Sequence, residues 1–225
     1  IDFNNIGFTA VLSAPRETSP PATEQASAGT LAVLDQADTA TARLSTDGAI
    51  EVILDASGSM WQQLDGRYRY EIASEVLTEL VSDVLPADVP FALRVFGNRE
   101  ADVCRTDLEL ALAPLDAATV TDVIAGIEPQ QFAATPLAES IALVRDDLAE
   151  ATGGATVILI TDGEESCAGD VETAISELRA DGFDVVLNII GFDFDAGNVA
   201  EAREQFRNLA ALGGGQYFDA TNANE

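Results

Sequence analysis

Between Ile50 and Phe218 the apolar positions switch repeatedly between short continuous runs and helical spacing. Ile50-Glu51-Val52-Ile53-Leu54 is a run of aliphatic and β-branched residues that leads into Asp55, the pattern of a buried strand. From Arg67 to Val84 the residues Ile72, Val76, Leu77, Leu80, Val81 and Val84 follow helical spacing, with Glu71, Glu75 and Glu79 elsewhere on the wheel. Pro90 to Phe96 reads as a strand with Phe91, Leu93 and Val95 on one face. Thr106 to Leu112 alternates through Leu108, Leu110 and Leu112, as a half-exposed edge strand does. Helices are predicted over Thr119 to Ile127 and Pro136 to Glu150, and Thr156 to Thr161 is a second buried run that leads into Asp162. A helix over Asp170 to Ala180, a strand over Phe183 to Ile190, a helix over Val199 to Leu212 stopped by Gly213-Gly214-Gly215, and a closing strand at Gln216 to Phe218 complete the series.

Strands that alternate with helices predict an α/β fold: a doubly wound, mainly parallel sheet flanked by helices on both faces, with one antiparallel edge strand. This domain takes in residues 48 to 220. Residues 1 to 47 read as a linker or docking segment of a larger protein. Ile6 to Leu12 and Leu31 to Leu34 are short strand candidates there, and Pro15 to Thr30 has linker composition. Residues 221 to 225 form a polar tail. The chain opens on Ile1 without a charged leader and apolar core, so a secretion signal is expected outside it, and no run approaches the roughly 20 apolar residues of a membrane span.

The chemistry sits where the two buried strands end. Asp55-x-Ser57-x-Ser59 sets one carboxylate and two hydroxyls at alternate positions, with Gly58 letting the backbone turn. Thr135-Pro136-Leu137 opens a helix with Pro136 suited to its first position and the Thr135 hydroxyl at its entrance. Thr161-Asp162-Gly163 adds another carboxylate before a glycine. In an open α/β sheet the carboxyl ends of parallel strands share one edge, so Asp55, Ser57, Ser59, Thr135 and Asp162 can converge there. Oxygen donors of this kind suit a small hard cation.

The three motifs, in this order and each at the right end of its element, resemble the metal-ion-dependent adhesion site of the von Willebrand factor A (vWA) family over residues 48 to 220. The resemblance implies a vWA fold and a divalent cation, with Mg²⁺ favoured on site size and Mn²⁺ or Ca²⁺ as alternatives. It also implies Ser57, Ser59 and Thr135 as direct ligands, Asp55 and Asp162 acting through water, and a partner's acidic group completing the octahedron. If the family's strand order holds, the loops carrying Cys104 and Cys167 both lie on the binding edge. A disulfide between them is then expected, joining two rim loops and implying an oxidising compartment; the alternative is two separate buried thiols.

Composition narrows the chemistry further. There are 39 acidic residues against 11 arginines, no lysine and no histidine, for a formal net charge of −28. Such a surface repels nucleic acid and anionic membrane, which need basic patches. Without histidine there is no Ser-His-Asp or Cys-His nucleophile, and without lysine no Walker A loop or Schiff base. Two cysteines and no histidine also exclude the usual structural zinc sites. An enzyme is therefore not expected. Asp193-x-Asp195-x-Gly197-Asn198 lacks the terminal bidentate glutamate of an EF-hand loop and reads as an acidic turn. Glu164 and Glu165 read as a solvated rim.

These features lead to an expected binding or adhesion module of an extracellular, cell-surface or periplasmic protein, whose cation accepts a carboxylate from a protein or glycan. The alternative is an intracellular vWA adaptor that docks on an AAA-type ATPase. The acidic excess and the avoidance of lysine point to a salt-adapted source, because self-repulsion at this charge needs screening. The melting temperature is therefore expected to rise between dilute buffer and molar NaCl, as followed by circular dichroism; a melting temperature indifferent to salt removes the salt-adaptation reading.

Overall fold

The computed structural model describes residues 48–180, 185–192 and 199–220. The strand candidates in residues 1 to 47 and the acidic turn at Asp193 to Asn198 lie outside these. Ala49–Asp55 forms β1, and all seven of its residues are buried, as a central strand covered on both faces requires. It pairs in parallel with β4 (Pro90–Phe96) on one side and β6 (Ala155–Thr161) on the other, with Val52 opposite Leu93 and Ile158. Beyond them lie the antiparallel edge strand β5 (Thr106–Pro114), then β7 (Val185–Phe192) and β8 (Gly214–Ala220), both parallel. Among the described residues the sheet therefore runs β5-β4-β1-β6-β7-β8.

Alternation along β1 divides the core between two helical layers. Ile50, Val52 and Leu54 pack with α1 (Arg69–Glu79) and α2 (Ala117–Ala125), whereas Ala49 and Ile53 pack with α3 (Leu137–Asp147), α4 (Val171–Ala180) and α5 (Val199–Leu212). Ile50, Ile53, Ile72, Leu77 and Leu93 are wholly withdrawn from water, each contributing roughly 1.5–3 kcal/mol of apolar burial. The carboxyl ends of β1, β4 and β6 come together at one edge.

Three details depart from the periodicity. The helix predicted from Arg67 begins at Arg69, because Gln63–Leu64 (β2) and Arg67–Tyr68 (β3) form a small hairpin. Asp65 and Gly66 turn it with φ of 52° and 84°, the conformation that an Asp-Gly pair adopts readily. Leu80–Val84 continues α1 as a wider π-helical turn. In β5, register shifts against β4 break the expected alternation, so that Leu108 is exposed while Leu110 and Leu112 pack against different layers.

Beneath α3, three ionisable side chains are buried together. Arg94 of β4 clasps Asp147 through Nε to Oδ2 at 2.7 Å and Nη2 to Oδ1 at 2.8 Å, and its Nε lies 3.7 Å from Oε1 of the fully buried Glu51 of β1. Burial, and then the neighbouring Asp147, push the Glu51 carboxyl up to about 9 against the smaller pull of Arg94. Near neutral pH Glu51 is thus protonated, and Arg94 and Asp147 balance each other. Folding takes up a proton wherever the unfolded carboxyl has lost it, so this group's stabilisation is complete below about pH 4.5 and is lost as pH rises toward 9. Glu51→Gln, which imitates the protonated acid, is expected to flatten that decline and to stabilise the domain at alkaline pH by on the order of 2–4 kcal/mol. Denaturant titrations of both proteins across this range test it, and identical pH slopes would refute the assignment.

Candidate functional site

At the carboxyl edge of the sheet, Asp55 ends β1 and Asp162 directly follows the neighbouring β6, and both are buried. Asp55 Oδ1 accepts from the Ser57 backbone N at 2.7 Å, and its Oδ2 accepts from Thr161 Oγ1 at 2.6 Å. Asp162 Oδ1 accepts from Ser59 Oγ at 2.6 Å, and its Oδ2 accepts from Arg69 Nη1 at 2.8 Å. Ser57 Oγ and Ser59 Oγ lie 3.0 Å apart. Burial, followed by the charge of Asp162, raises the Asp55 carboxyl to about 7 despite its hydrogen bonds. Burial also raises Asp162, with Ser59 and Arg69 opposing.

Thr135 reaches the same place from the turn before α3. A methyl group built on Gly163 would lie 3.7 Å from Ser59 Oγ and 4.0 Å from Thr135 Oγ1, so both hydroxyls flank that glycine. Pro136 occupies the position before the first helical residue, one place earlier than expected. Ser166 holds Thr135 in two ways: its Oγ accepts from Thr135 N at 2.7 Å, and its N donates to Thr135 O at 3.1 Å. Glu165 is no free rim residue, because its Oε2 accepts from Ala138 N at 2.8 Å in the first turn of α3, where the helix dipole favours an anion. Glu164 is exposed, as expected.

The structure thus brings all five sequence-predicted residues, Asp55, Ser57, Ser59, Thr135 and Asp162, to one edge. Among the described residues no group of three or more Asp, Glu, Cys or His side chains forms a carboxylate or thiolate cage. The donors gathered here are chiefly hydroxyls, and they fit a small cation in one measurable respect. Adjacent ligands of an octahedron at about 2.1 Å from its centre stand about 3.0 Å apart. Ser57 Oγ and Ser59 Oγ, which share a hydrogen bond, already have that spacing.

Sequence reasoning missed Arg69, Thr161 and Ser166. Arg69 continues the apolar stripe of α1 backward from Ile72, Ala73 and Val76, and an arginine in that register is a sign of a buried partner. Thr161 and Ser166 carried no such signal. The reason for Gly58 also differs from the turn it was given. A Cβ there would lie 2.8 Å from Phe132 N, so this glycine permits close approach of the 129–134 loop. That loop is tied down by Trp61 Nε1 donating to Pro129 O at 2.8 Å and by Asp102 N donating to Phe132 O at 2.9 Å. It displays Phe132, 76 % exposed and with φ of 65°, on the wall of an open cleft of about 860 Å³ that Ser59, Thr135 and Ser166 also line.

The sheet order and the helical layers on both faces match a vWA-like, Rossmann-like α/β fold. Solved structures with the same fold include proximal thread matrix protein 1 of the mussel byssus, 21% identical with a TM-score of 0.61 over 78% of this chain. The same protein has been solved with a zinc-occupied MIDAS motif, at a TM-score of 0.60. A von Willebrand factor type A protein from Catenulispora acidiphila is 17% identical, with a TM-score of 0.59 over 78% of this chain. This chain spans less than half the length of these solved chains, 42% and 39% respectively. No protein-family profile matches it. The chain belongs to the same family as the uncharacterized protein YwmD of Bacillus subtilis (strain 168), to which it is 32% identical over 194 residues, 82% of this chain and 84% of YwmD. YwmC of the same organism is 29% identical over 181 residues.

Cys104 and Cys167 are joined in a disulfide, with their Cα atoms 5.8 Å apart. It ties the β4–β5 loop to the β6–α4 loop beside Ser166, and closes a loop of 63 residues in sequence. In the chain-entropy picture such a closure contributes roughly 4 kcal/mol. The Cys104→Ser/Cys167→Ser double variant is expected to lose stability of that order in denaturant titrations while keeping its far-ultraviolet circular dichroism. A loss below about 1 kcal/mol would show that the rim loops are held by other contacts.

Proposed function

We propose that this domain is a cation-dependent binding module of an exported protein, in which Ser57, Ser59 and Thr135 hold a divalent cation directly and Asp55 and Asp162 hold it through water. The observation that carries this reading is the Ser57–Ser59 hydroxyl pair, 3.0 Å apart above two buried carboxylates. Neutral hydroxyl ligands leave a cation with enough Lewis acidity to take an anionic ligand from outside, so a carboxylate on a protein or glycan is the partner chemistry this site favours. The mussel protein with its zinc-occupied MIDAS supports the cation; Mg²⁺ remains the preferred ion here on size. The Cys104–Cys167 disulfide supports an oxidising compartment and weighs against an intracellular adaptor of an AAA-type ATPase. Among the described residues no helix is long and apolar enough to cross a membrane.

The test is calorimetric titration of metal-stripped protein with Mg²⁺, Mn²⁺ and Ca²⁺ in high salt, beside Asp55→Ala and Ser57→Ala. Saturable binding by the unaltered protein, weakened about tenfold or more in both variants, is expected, since each removes a ligand or the anchor of its water. Unaltered protein that takes up none of the three ions would overturn the reading.

A further inference from the structure

Arg69 is a buried positive charge that touches the candidate site. It stands at the first position of α1 with a side chain only 5 % exposed, and its Nη1 lies 2.8 Å from Oδ2 of the wholly buried Asp162 side chain. The remaining oxygen of Asp162 accepts from Ser59 Oγ at 2.6 Å. Both oxygens of this carboxylate are therefore engaged, one by a fixed guanidinium and the other by a proposed cation ligand.

This arrangement has a geometric and an electrostatic consequence. Geometrically, Arg69 fixes one oxygen of Asp162 while the other orients Ser59, so that neither oxygen is free to become a charged ligand of its own. Electrostatically, a divalent cation between the ionised Asp55 and Asp162 would be neutralised, and a neutral site has little call for an anion. Arg69 adds one positive charge in contact with this set, away from water, where screening is weak. The Glu165 carboxylate accepts from two backbone amides, Ala138 N in the first turn of α3 and Cys167 N.

We propose that Arg69 is the residue that makes the cation-loaded site select an anionic ligand, by withholding Asp162 from the cation and leaving the loaded site with one net positive charge. The inference rests on the binding-module reading and deepens it, because it says which side chain sets the preference for a carboxylate. It also gives an acidic protein a confined point of positive potential, in a chain whose formal net charge is −28.

The experiment separates affinity for the cation from affinity for the anion. Mn²⁺ is titrated calorimetrically into the metal-stripped protein. Acetate is then titrated into the Mn²⁺-loaded protein at constant ionic strength while water-proton relaxation reports displacement of metal-bound water. Arg69→Met is expected to bind Mn²⁺ about tenfold or more tightly and to need about tenfold or more acetate, a pair of opposite shifts that a residue serving only the fold does not produce. Arg69→Lys, which keeps the charge, should stay within a few-fold of the unaltered protein for acetate. Should Arg69→Met fail to fold, Arg69→Gln, which removes the charge and keeps hydrogen-bonding groups for Asp162, takes its place. It is expected to bind Mn²⁺ more tightly and to need about tenfold or more acetate at saturating Mn²⁺, and an acetate affinity equal to that of the unaltered protein would overturn the proposal. Arg69→Met that weakens both ligands, or tightens Mn²⁺ with acetate unchanged, also overturns it. Absence of Mn²⁺ binding by the unaltered protein instead overturns the binding-module reading itself.

Discussion

Two carboxylates, Asp55 and Asp162, are buried at the ends of adjacent central strands, and the surrounding structure answers the cost of removing them from water. An ionised carboxylate stripped of solvent costs several kcal/mol unless hydrogen bonds or an opposite charge replace its hydration. Here each receives at least two donors. The Ser57 amide and the Thr161 hydroxyl serve Asp55, while the Ser59 hydroxyl and the Arg69 guanidinium serve Asp162. Those donors come from the loop after β1, from β6 itself and from the first turn of α1, so satisfying the carboxylates also fixes how these elements meet. The hydroxyls left facing the edge are held in place as a by-product.

The same physical problem has a different solution toward the start of β1. There Glu51 is buried beside the Arg94–Asp147 pair, and it is relieved by keeping its proton, because one guanidinium already answers one carboxylate. A protonated carboxyl adds no charge to a layer otherwise made of Ala49, Ile53, Val157 and Leu159. At the opposite end of the strand, hydrogen-bond donors, joined at Asp162 by Arg69, oppose the upward pull of burial on Asp55 and Asp162. One end of the strand is thereby chemically quiet, and the other keeps oxygen donors together.

Around that edge, backbone contacts matter as much as side chains. Ser166 reaches both backbone groups of Thr135, Glu165 caps the helix that follows it, and the Cys104–Cys167 bond holds the same segment against the neighbouring loop. The 129–134 loop is pressed against Gly58 and carries the exposed Phe132. The approach to the hydroxyls is therefore bounded by segments with little independent freedom, and shape on that wall comes from loop geometry more than from the sheet.

The order of strands and helices was legible in the chain because burial on two faces leaves continuous apolar runs and burial on one face leaves helical spacing. Ile50 to Leu54 and Thr156 to Thr161 show the first pattern, and Ile72 to Val84 the second. The gathering of Asp55, Ser57, Ser59, Thr135 and Asp162 at one edge was also readable, since parallel strands place their carboxyl ends together. The Asp65-Gly66 hairpin had a local signal that helical periodicity overrode. What the sequence could not carry was partnership across the fold. That Arg69 meets Asp162, that Ser166 holds Thr135, that Gly58 makes room for Phe132, and that Glu51 shares its burial with Arg94 and Asp147 all depend on residues far apart in the chain. Local pattern determines which face of an element turns inward; only packing determines which polar group it finds there, because desolvation is settled by the neighbours that displace the water.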